Sequence, residues 1–304
     1  MQRVVLRRLP DGIERKVMPF HISMEGLEMT VLFRDDEDYS VMVKYIVICA
    51  KRKNVIVVIH NVVSNHAHIA VLAATQYDAE AFAVELKKVY AMWFSRKYGE
   101  KNILHRVDVK AILLDTDRYV RCALSYIVRN SLDNGGAVHE YPWSGYRAMF
   151  RTCPETQFKK VCLMTKRERE KIMHTGDDLR DVPWAVDASG NLIPDSFCDV
   201  EYLEQVFNGD QSYFLRTIGD VDPAWMKEIL IDSPRKQLPD SDFFREVESV
   251  AERWFSQGIA DLVREKKFRL MSYIWHTRKT TVNQLARVFG LPRETVREAV
   301  RRKG

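Results

Sequence analysis

Two apolar segments separated by only two polar residues constrain the fold more than any other feature of this chain. Residues 55–63 (VIVVIHNVV) are rich in β-branched side chains, and residues 66–73 (HAHIAVLA) follow directly after Ser64 and Asn65. This pattern predicts two neighbouring antiparallel strands joined by a tight turn. The first strand is too apolar for an exposed sheet edge, so we expect a partner strand or another element to cover it.

Further periodic segments surround this strand pair. Residues 16–24 and 107–114 have the composition of strands, whereas residues 78–98 and 117–132 have the apolar spacing of amphipathic helices. Asp35 precedes another stretch with helical spacing and predicts a capped helix. The resulting order, β-α-β-β-α-β-α, predicts an α+β fold with a ferredoxin-like antiparallel sheet and an extra helix.

Charge and pattern together predict three regions. Residues 1–150 form the predicted sheet domain and carry a net charge of +4. Residues 151–240 are predicted to form a helical middle region. We expect it to be acidic, because the net charge of residues 151–250 is −7. Residues 241–304 are predicted to form an all-α domain. Within it, residues 251–304 carry a net charge of +8, which suits contact with phosphate.

The overall composition argues against a secreted or membrane-spanning protein. No apolar run reaches the ~18 residues that a membrane helix needs, and the N-terminal residues lack the apolar stretch of a secretory signal. The five cysteines are odd in number and form no Cys-x-x-Cys pair, which predicts neither a disulfide framework nor a zinc site. We therefore expect a reducing, cytoplasmic setting and no membrane partner.

Two histidines alternate along the second strand of the pair. Side chains two residues apart on a strand point to the same face, so His66 and His68 are able to bind one divalent metal ion together. Taken alone, the same pattern also suits two polar residues on a solvated strand face.

Tyr126 and Asn130 form a second candidate pair. They lie four residues apart on the predicted helix 117–132, so they share a face. A phenol needs activation to act as a nucleophile, and an amide one turn away can complete a metal site beside it. Alternatively, Tyr126 is a packed aromatic residue of an amphipathic helix.

Several motifs in this order resemble one family, the REP-associated tyrosine transposases, a branch of the single-tyrosine HUH transposases. The resemblance lies in SNHAHIAVLA and SYIVRNSLDNGG, with PFHISMEG and LFRDDEDY before them and HEYPWSGYRAMF after them. It covers about residues 16–150. The chain departs from the family at Ala67, a small residue between the histidines, at Val63-Ser64 in place of Met-Pro, and at Asn130-Ser131 in place of Asn-Pro.

The resemblance implies a set of residue roles. His66, His68 and Asn130 would bind Mg²⁺ or Mn²⁺, and Tyr126 would attack a phosphodiester to form a 5′-phosphotyrosine link. The implied partner is single-stranded DNA with a hairpin, such as a REP-like sequence or the end of a mobile element. The implied setting is a bacterial cytoplasm, in association with the nucleoid.

Two groups of side chains are candidates for contact with DNA. Arg121 and Arg129 lie on or near the tyrosine helix, where they either contact phosphates or are solvated helix charges. Residues 281–302 predict a helix-turn-helix with Gly290 in the turn and Pro292 at the start of the second helix. Its candidate contacts, to duplex DNA, are Arg287, Arg293, Thr295, Arg297, Arg301 and Arg302. The alternative is a basic helical hairpin that packs on another domain.

The sequence therefore supports two hypotheses of different classes. The first is a DNA transposase or domesticated relative that cleaves and rejoins single strands and docks through its C-terminal domain. The second is a non-catalytic DNA-binding regulator derived from such an enzyme. A relaxase or replication initiator is less well supported, because no third histidine motif or helicase segment is present. The resemblance also implies a homodimer, in which the first predicted strand, residues 16–24, and the helix after it present an edge and an apolar face to a second copy. The alternative is a monomer in which strand 55–63 is covered within the chain.

Overall fold

A computed structural model describes residues 4–25, 31–101, 104, 107–133, 138–151, 158–220, 240–277, 280 and 282–301. By contacts the chain divides into two compact units, Met1–Leu230 and Ile231–Gly304. The described elements of the predicted middle region, up to Asp220, belong to the first unit. No helix among these described residues is both long enough and apolar enough to cross a membrane.

The first unit is built on a five-stranded antiparallel sheet. Its strands are β1 (Val5–Arg8), β2 (Glu14–Glu25), β3 (Ile56–Val63), β4 (His66–Ala73) and β5 (Asp108–Leu113). The order β1-β2-β4-β3 forms one path, and β5 also pairs with β2. The predicted pair of strands is confirmed as β3 and β4, and the β-α-β-β-α-β part of the order has the split β-α-β topology.

Among the described residues, six α-helices belong to this unit. They are α1 (Asp36–Lys53), α2 (Gln76–Tyr98), α3 (Asp117–Asp133), α4 (Lys166–Met173), α5 (Val200–Val206) and α6 (Gln211–Asp220). The start predicted for α1 is confirmed, because the Asp35 side chain accepts a hydrogen bond from the Asp38 amide at 3.0 Å. Asn54, with φ 59°, ends the same helix in the left-handed conformation.

Alternation along the strands separates two apolar layers. On one face, Ile22, Ile69 and Val71 pack with residues of α1 and α2. On the other, Ala70 and Leu72 pack with residues of α3, α5 and α6. Because both faces are covered, β3 and β4 are almost fully buried, which explains their nearly continuous apolar sequence.

The outer edge of β3 is covered within the chain. The amide of Val62 donates to the carbonyl of Trp143 at 3.1 Å, and the amide of Asp199 donates to the carbonyl of Val57 at 2.8 Å. Asn61 forms an additional bridge with Ser144. A strand from a second copy is therefore not needed to cover this edge, and the predicted homodimer draws no support from it.

The region after residue 150 contributes to both layers. It contains the two-residue strands β6 (Lys159–Lys160) and β7 (Ala185–Val186) together with α4, α5 and α6. Val161 and Met173 join the α1 and α2 layer, whereas Phe207 and Phe214 join the α3 layer. Within its described residues the predicted middle region is thus only partly helical. The sequence pattern also predicts a helix at residues 224–231, which lie outside the described residues.

The second unit consists of helices around its own apolar core. They are α7 (Asp240–Phe255), α8 (Arg264–Thr277), α9 (Val282–Phe289) and α10 (Arg293–Arg301). Buried Leu285, Val296 and Ala299 anchor the last two helices in this core. Gly290, with φ +63°, opens the turn between them, as the sequence predicts for a position that needs a left-handed backbone.

Candidate functional site

A row of polar residues crosses the sheet on the face that α3 covers. His68 on β4 lies directly opposite Ser23 on β2 and Asn61 on β3. Residues paired across antiparallel strands point to the same face, and so do residues two apart on one strand. His66 and His21 therefore belong to this row as well.

The histidines of this row contact one another. The ring centroids of His66 and His68 are 4.8 Å apart, and those of His21 and His68 are 5.1 Å apart. The Nε2 atom of His21 lies 3.2 Å from the Nδ1 atom of His68, so one of these nitrogens donates to the other. The structure thus brings together the two predicted histidines and a third that the sequence did not single out.

The orientation of His66 follows from its neighbour. Its Nδ1 atom lies 2.6 Å from the side-chain oxygen of Asn65. Since an amide oxygen only accepts, Nδ1 carries the proton, and Nε2 of the neutral ring carries the lone pair. That is the nitrogen that a metal ion would bind. His66 is half-buried, whereas His68 and His21 are fully buried.

The helix α3 brings Tyr126 against these imidazoles. Thr116 caps its start by accepting a hydrogen bond from the Tyr119 amide at 3.1 Å, and its apolar face packs on the sheet. The ring centroid of Tyr126 is 5.3 Å from that of His68 and 6.4 Å from that of His21. Tyr126 is only 3% exposed, so it is at once a packed aromatic residue and a neighbour of the histidines.

Asn130 lies one turn after Tyr126 and is also buried. Its side-chain nitrogen donates to the carbonyl of Tyr126 at 2.7 Å. This contact fixes the amide on the tyrosine turn and leaves the amide oxygen as the atom suited to a metal ion.

The donor set of His66, His68 and Asn130 fits a divalent cation in part. Imidazole nitrogens and an amide oxygen are ordinary metal ligands, and phosphate oxygens and water would complete the shell. Among the described residues, however, no group of three or more His, Cys, Asp or Glu side chains is arranged to hold a metal. A site here depends on the Asn130 amide and on oxygens that the substrate brings.

Two buried histidines, His21 in the row and His60 on β3, are held neutral. Burial lowers the pKa of His21 to about 3, because the charged imidazolium would lose its hydration. The same cause lowers the pKa of His60 to about 3; this residue precedes Asn61 on β3 and packs beside Phe197. Neither ring is charged at neutral pH.

The arginines of the tyrosine helix have different surroundings. Arg121 is half-buried. Arg129 donates from Nη1 to the carbonyls of Ile218 and Gly219 at 3.0 and 3.2 Å, so it caps the C-terminal end of α6. This contact gives Arg129 a structural role that the sequence did not predict.

The candidate DNA contacts of the second unit are also partly engaged. Arg293 and Arg297 are exposed on α10, and Thr295 is half-buried between them. Arg287 on α9 pairs with Asp240, with 3.0 Å between Nη2 and Oδ1, which ties α9 to the start of α7. Arg301 ends α10, and Arg302 lies outside the described residues.

Sequence reasoning missed His21 and Asn61. A weak signal was present for both, since each is a polar residue inside a segment predicted to be a buried strand. Strand register determines whether such residues meet His66 and His68, and register is not visible in a single sequence.

Comparisons with known proteins give one partial similarity. No family model and no curated protein matches this chain. A solved structure described as a REP-associated tyrosine transposase bound to a REP hairpin is similar over 42% of this chain and 76% of its own. The identity is 15% and the TM-score is 0.35, so the functional assignment has to come from the side chains described above.

Proposed function

We propose that this chain is a single-tyrosine DNA nuclease that nicks and rejoins single-stranded DNA through a 5′-phosphotyrosine intermediate. The observation that supports the proposal is the convergence of a tyrosine with the two histidines of one strand. The Tyr126 ring is 5.3 Å from that of His68, which is 4.8 Å from that of His66. A phenol beside His68, whose ring contacts that of His66, has the elements of an activated nucleophile.

In the proposed reaction the phenol oxygen of Tyr126 attacks phosphorus. The oxygen–phosphorus bond forms as the bond to the 3′ oxygen breaks, and the proton lost by the phenol balances the one gained by the leaving 3′-OH. The reverse attack, by the 3′-OH of another strand end, rejoins DNA without ATP. Strand transfer of this kind is the chemistry of a transposase or of a domesticated relative.

The chain's own residues orient the reactants. Nε2 of His66 and of His68 and the amide oxygen of Asn130 would hold Mg²⁺ or Mn²⁺, which would neutralise charge that develops on the phosphate. Because Tyr126 is 3% exposed, the phosphodiester has to approach along the half-buried His66, and the phenol has to turn toward it.

The proposed partners follow from the same assignment. Single-stranded DNA with a hairpin would occupy the site on the first unit, in a bacterial cytoplasm near the nucleoid. The exposed Arg293 and Arg297 of α10 would contact duplex DNA if α9 and α10 act as a helix-turn-helix. A homodimer is not part of the proposal, because the edge of β3 is covered within the chain.

The deciding experiment is capture of the covalent intermediate. Purified protein is incubated with Mn²⁺ and labelled hairpin-bearing single strands from its own genomic neighbourhood, and denaturing gels are searched for a protein–DNA adduct. The same sequences as blunt duplexes serve as the control. An adduct with single strands only is the expected result.

The burial of Tyr126 favours one second candidate, a DNA-binding regulator without nuclease activity. In that case Tyr126 is a packing residue, and the polar row is structural. Tight, sequence-dependent binding of the hairpin strands with no adduct under any metal would support the regulator and contradict the nuclease.

A further inference from the structure

Asn61 connects the strand pair of the candidate site to the tyrosine helix. It is fully buried on β3, and its side-chain nitrogen donates to the carbonyl of Ile127 at 2.7 Å and to the hydroxyl of Ser131 at 3.0 Å. A side-chain amide has two N–H donors, so both are directed at α3. Ile127 is the residue immediately after Tyr126.

This placement is costly for folding stability. The side-chain oxygen of Asn61 is buried without a hydrogen-bond partner, and an unsatisfied buried polar atom costs roughly 1–3 kcal/mol. The neighbours of Asn61 on the same face of β3 are Ile59 and Val63, so an apolar residue would suit this face better. A polar residue that the core does not require calls for another explanation.

The position of Asn61 supplies that explanation. It stands directly opposite His68 in the strand register, on the same face of the sheet. The backbone of β3 is held in turn from its outer edge, where the Val62 amide donates to the Trp143 carbonyl at 3.1 Å. One side chain therefore links the backbone beside His68 to the backbone beside Tyr126.

We infer that Asn61 is a positioning residue that fixes α3 so that Tyr126 faces His68. This inference rests on the proposed function, since it concerns the nucleophile of that reaction. Misplacing reacting groups by about 1 Å lowers the reaction rate on the order of 100-fold. The gain in rate from a fixed position of α3 therefore explains why a buried amide oxygen without a hydrogen bond is retained. Asn61 itself does not contact the DNA phosphate in this role.

The test compares two substitutions in the same row. Asn61→Leu keeps the number and branching of the side-chain heavy atoms and removes both donors to α3. Ser23→Ala is the matched control: Ser23 is the other cross-strand neighbour of His68, is fully buried, and its hydroxyl has no hydrogen-bond partner. Ser131→Ala is a gentler second variant, because it removes one acceptor on α3 and leaves the carbonyls of Ile127 and Val128.

Two readouts are measured on the full-length chain with hairpin-bearing single strands and Mn²⁺. Hydrogen exchange of the α3 amides should be several-fold faster in Asn61→Leu, and single-turnover adduct formation should slow at least about tenfold with DNA affinity within about twofold. Ser131→Ala should show the same changes at smaller size. Ser23→Ala should match the wild type in both measurements.

The two readouts separate this inference from the proposed function. Unchanged exchange in Asn61→Leu would overturn the anchoring and leave the nuclease standing. Faster exchange with an unchanged adduct rate would overturn the positioning role. Absence of an adduct with the wild type would overturn the nuclease proposal. In that case, faster exchange of the α3 amides in Asn61→Leu than in the wild type would still support the anchoring.

Discussion

The Nε2 atom of His21 lies 3.2 Å from the Nδ1 atom of His68, and both rings are fully buried. These residues lie on neighbouring strands, β2 and β4, and are far apart in sequence. A hydrogen bond to the second ring nitrogen orients an imidazole and sets its tautomer. His21 is therefore placed to control how His68 presents its Nε2 atom.

The first prediction concerns this contact. His21→Leu should weaken Mn²⁺ binding about 10- to 100-fold, because His68 loses the partner that orients its ring. Isothermal titration calorimetry with Mn²⁺ on the DNA-bound protein measures this directly. His60→Leu is the control, since it also removes a buried neutral histidine but one from a position outside the row. Equal affinities in wild type and His21→Leu would rule out the orienting role.

The second prediction concerns the nucleophile. Tyr126→Phe should abolish the covalent adduct and leave hairpin affinity within about twofold, because only the phenol oxygen takes part in the chemistry. The ring is retained, so the packing of α3 on the sheet should be unchanged. Denaturing gels and a filter-binding assay give the two values. An adduct formed by the Phe variant would show that another residue attacks the phosphate.

The third prediction concerns metal dependence. His66→Ala and His68→Ala should each lower adduct formation at least about 100-fold, and EDTA should do the same to the wild type. Excess Mn²⁺ should restore the EDTA-treated wild type but neither variant. His139→Ala is a suitable control, because this histidine is exposed and lies on none of the strands that form the row. Full activity of the wild type in EDTA would exclude the metal site.

The fourth prediction concerns the second unit. The double variant Arg293→Gln and Arg297→Gln should lower the slope of log affinity against log salt by about 2, since each phosphate contact contributes roughly one counterion. Arg253→Gln, an exposed arginine on α7, should leave the slope unchanged. Fluorescence anisotropy with duplex DNA across a salt series measures all three proteins. Parallel slopes would show that α10 does not contact DNA phosphates.

The fifth prediction concerns stability against pH. His60 has a folded-state pKa of about 3, below its unfolded value of 6.5, so the unfolded chain binds the extra proton between these values. Above pH 6.5 His60 has no effect on the pH dependence of the unfolding free energy. As the pH falls from 6.5 toward 3, His60 lowers the unfolding free energy. At pH 5 the loss is about 2 kcal/mol for this residue.

The variant His60→Leu should therefore show a smaller difference in urea unfolding free energy between pH 7.5 and pH 5 than the wild type. His139→Ala should reproduce the wild-type difference, because this variant leaves His60 in place. A wild-type pH dependence in His60→Leu would mean that folding does not change the pKa of His60.

Local sequence determined most of the secondary structure. The helix starting after Asp35, the strands on either side of Ser64 and Asn65, and the helix that carries Tyr126 all appear where the pattern predicts them. Each is encoded by neighbouring residues: a capping carboxylate, β-branched runs or apolar positions at helical spacing. The four-residue strand β1 and the helix α6 were missed, because short segments carry too few periods to stand out.

Local sequence determined the two residue pairs of the candidate site but not their meeting. His66 and His68 share a face because strand geometry alternates, and Tyr126 and Asn130 share one because helix geometry repeats. That the two pairs meet, and that His21 and Asn61 join them, depends on which strands pair and in what register. Register is a property of long-range contacts, so no local pattern specifies it.

The tertiary structure also determined the contacts of residues that the sequence suggested were available to bind a partner. Arg129 has the sequence context of a phosphate contact, yet its guanidinium donates to the carbonyl end of α6. The edge of β3 has the composition of a dimer interface, yet the segment around Trp143 covers it. Sequence determined the chemical types and their local faces; packing determined which of them meet, because hydrogen bonds between distant segments form only once the chain has folded.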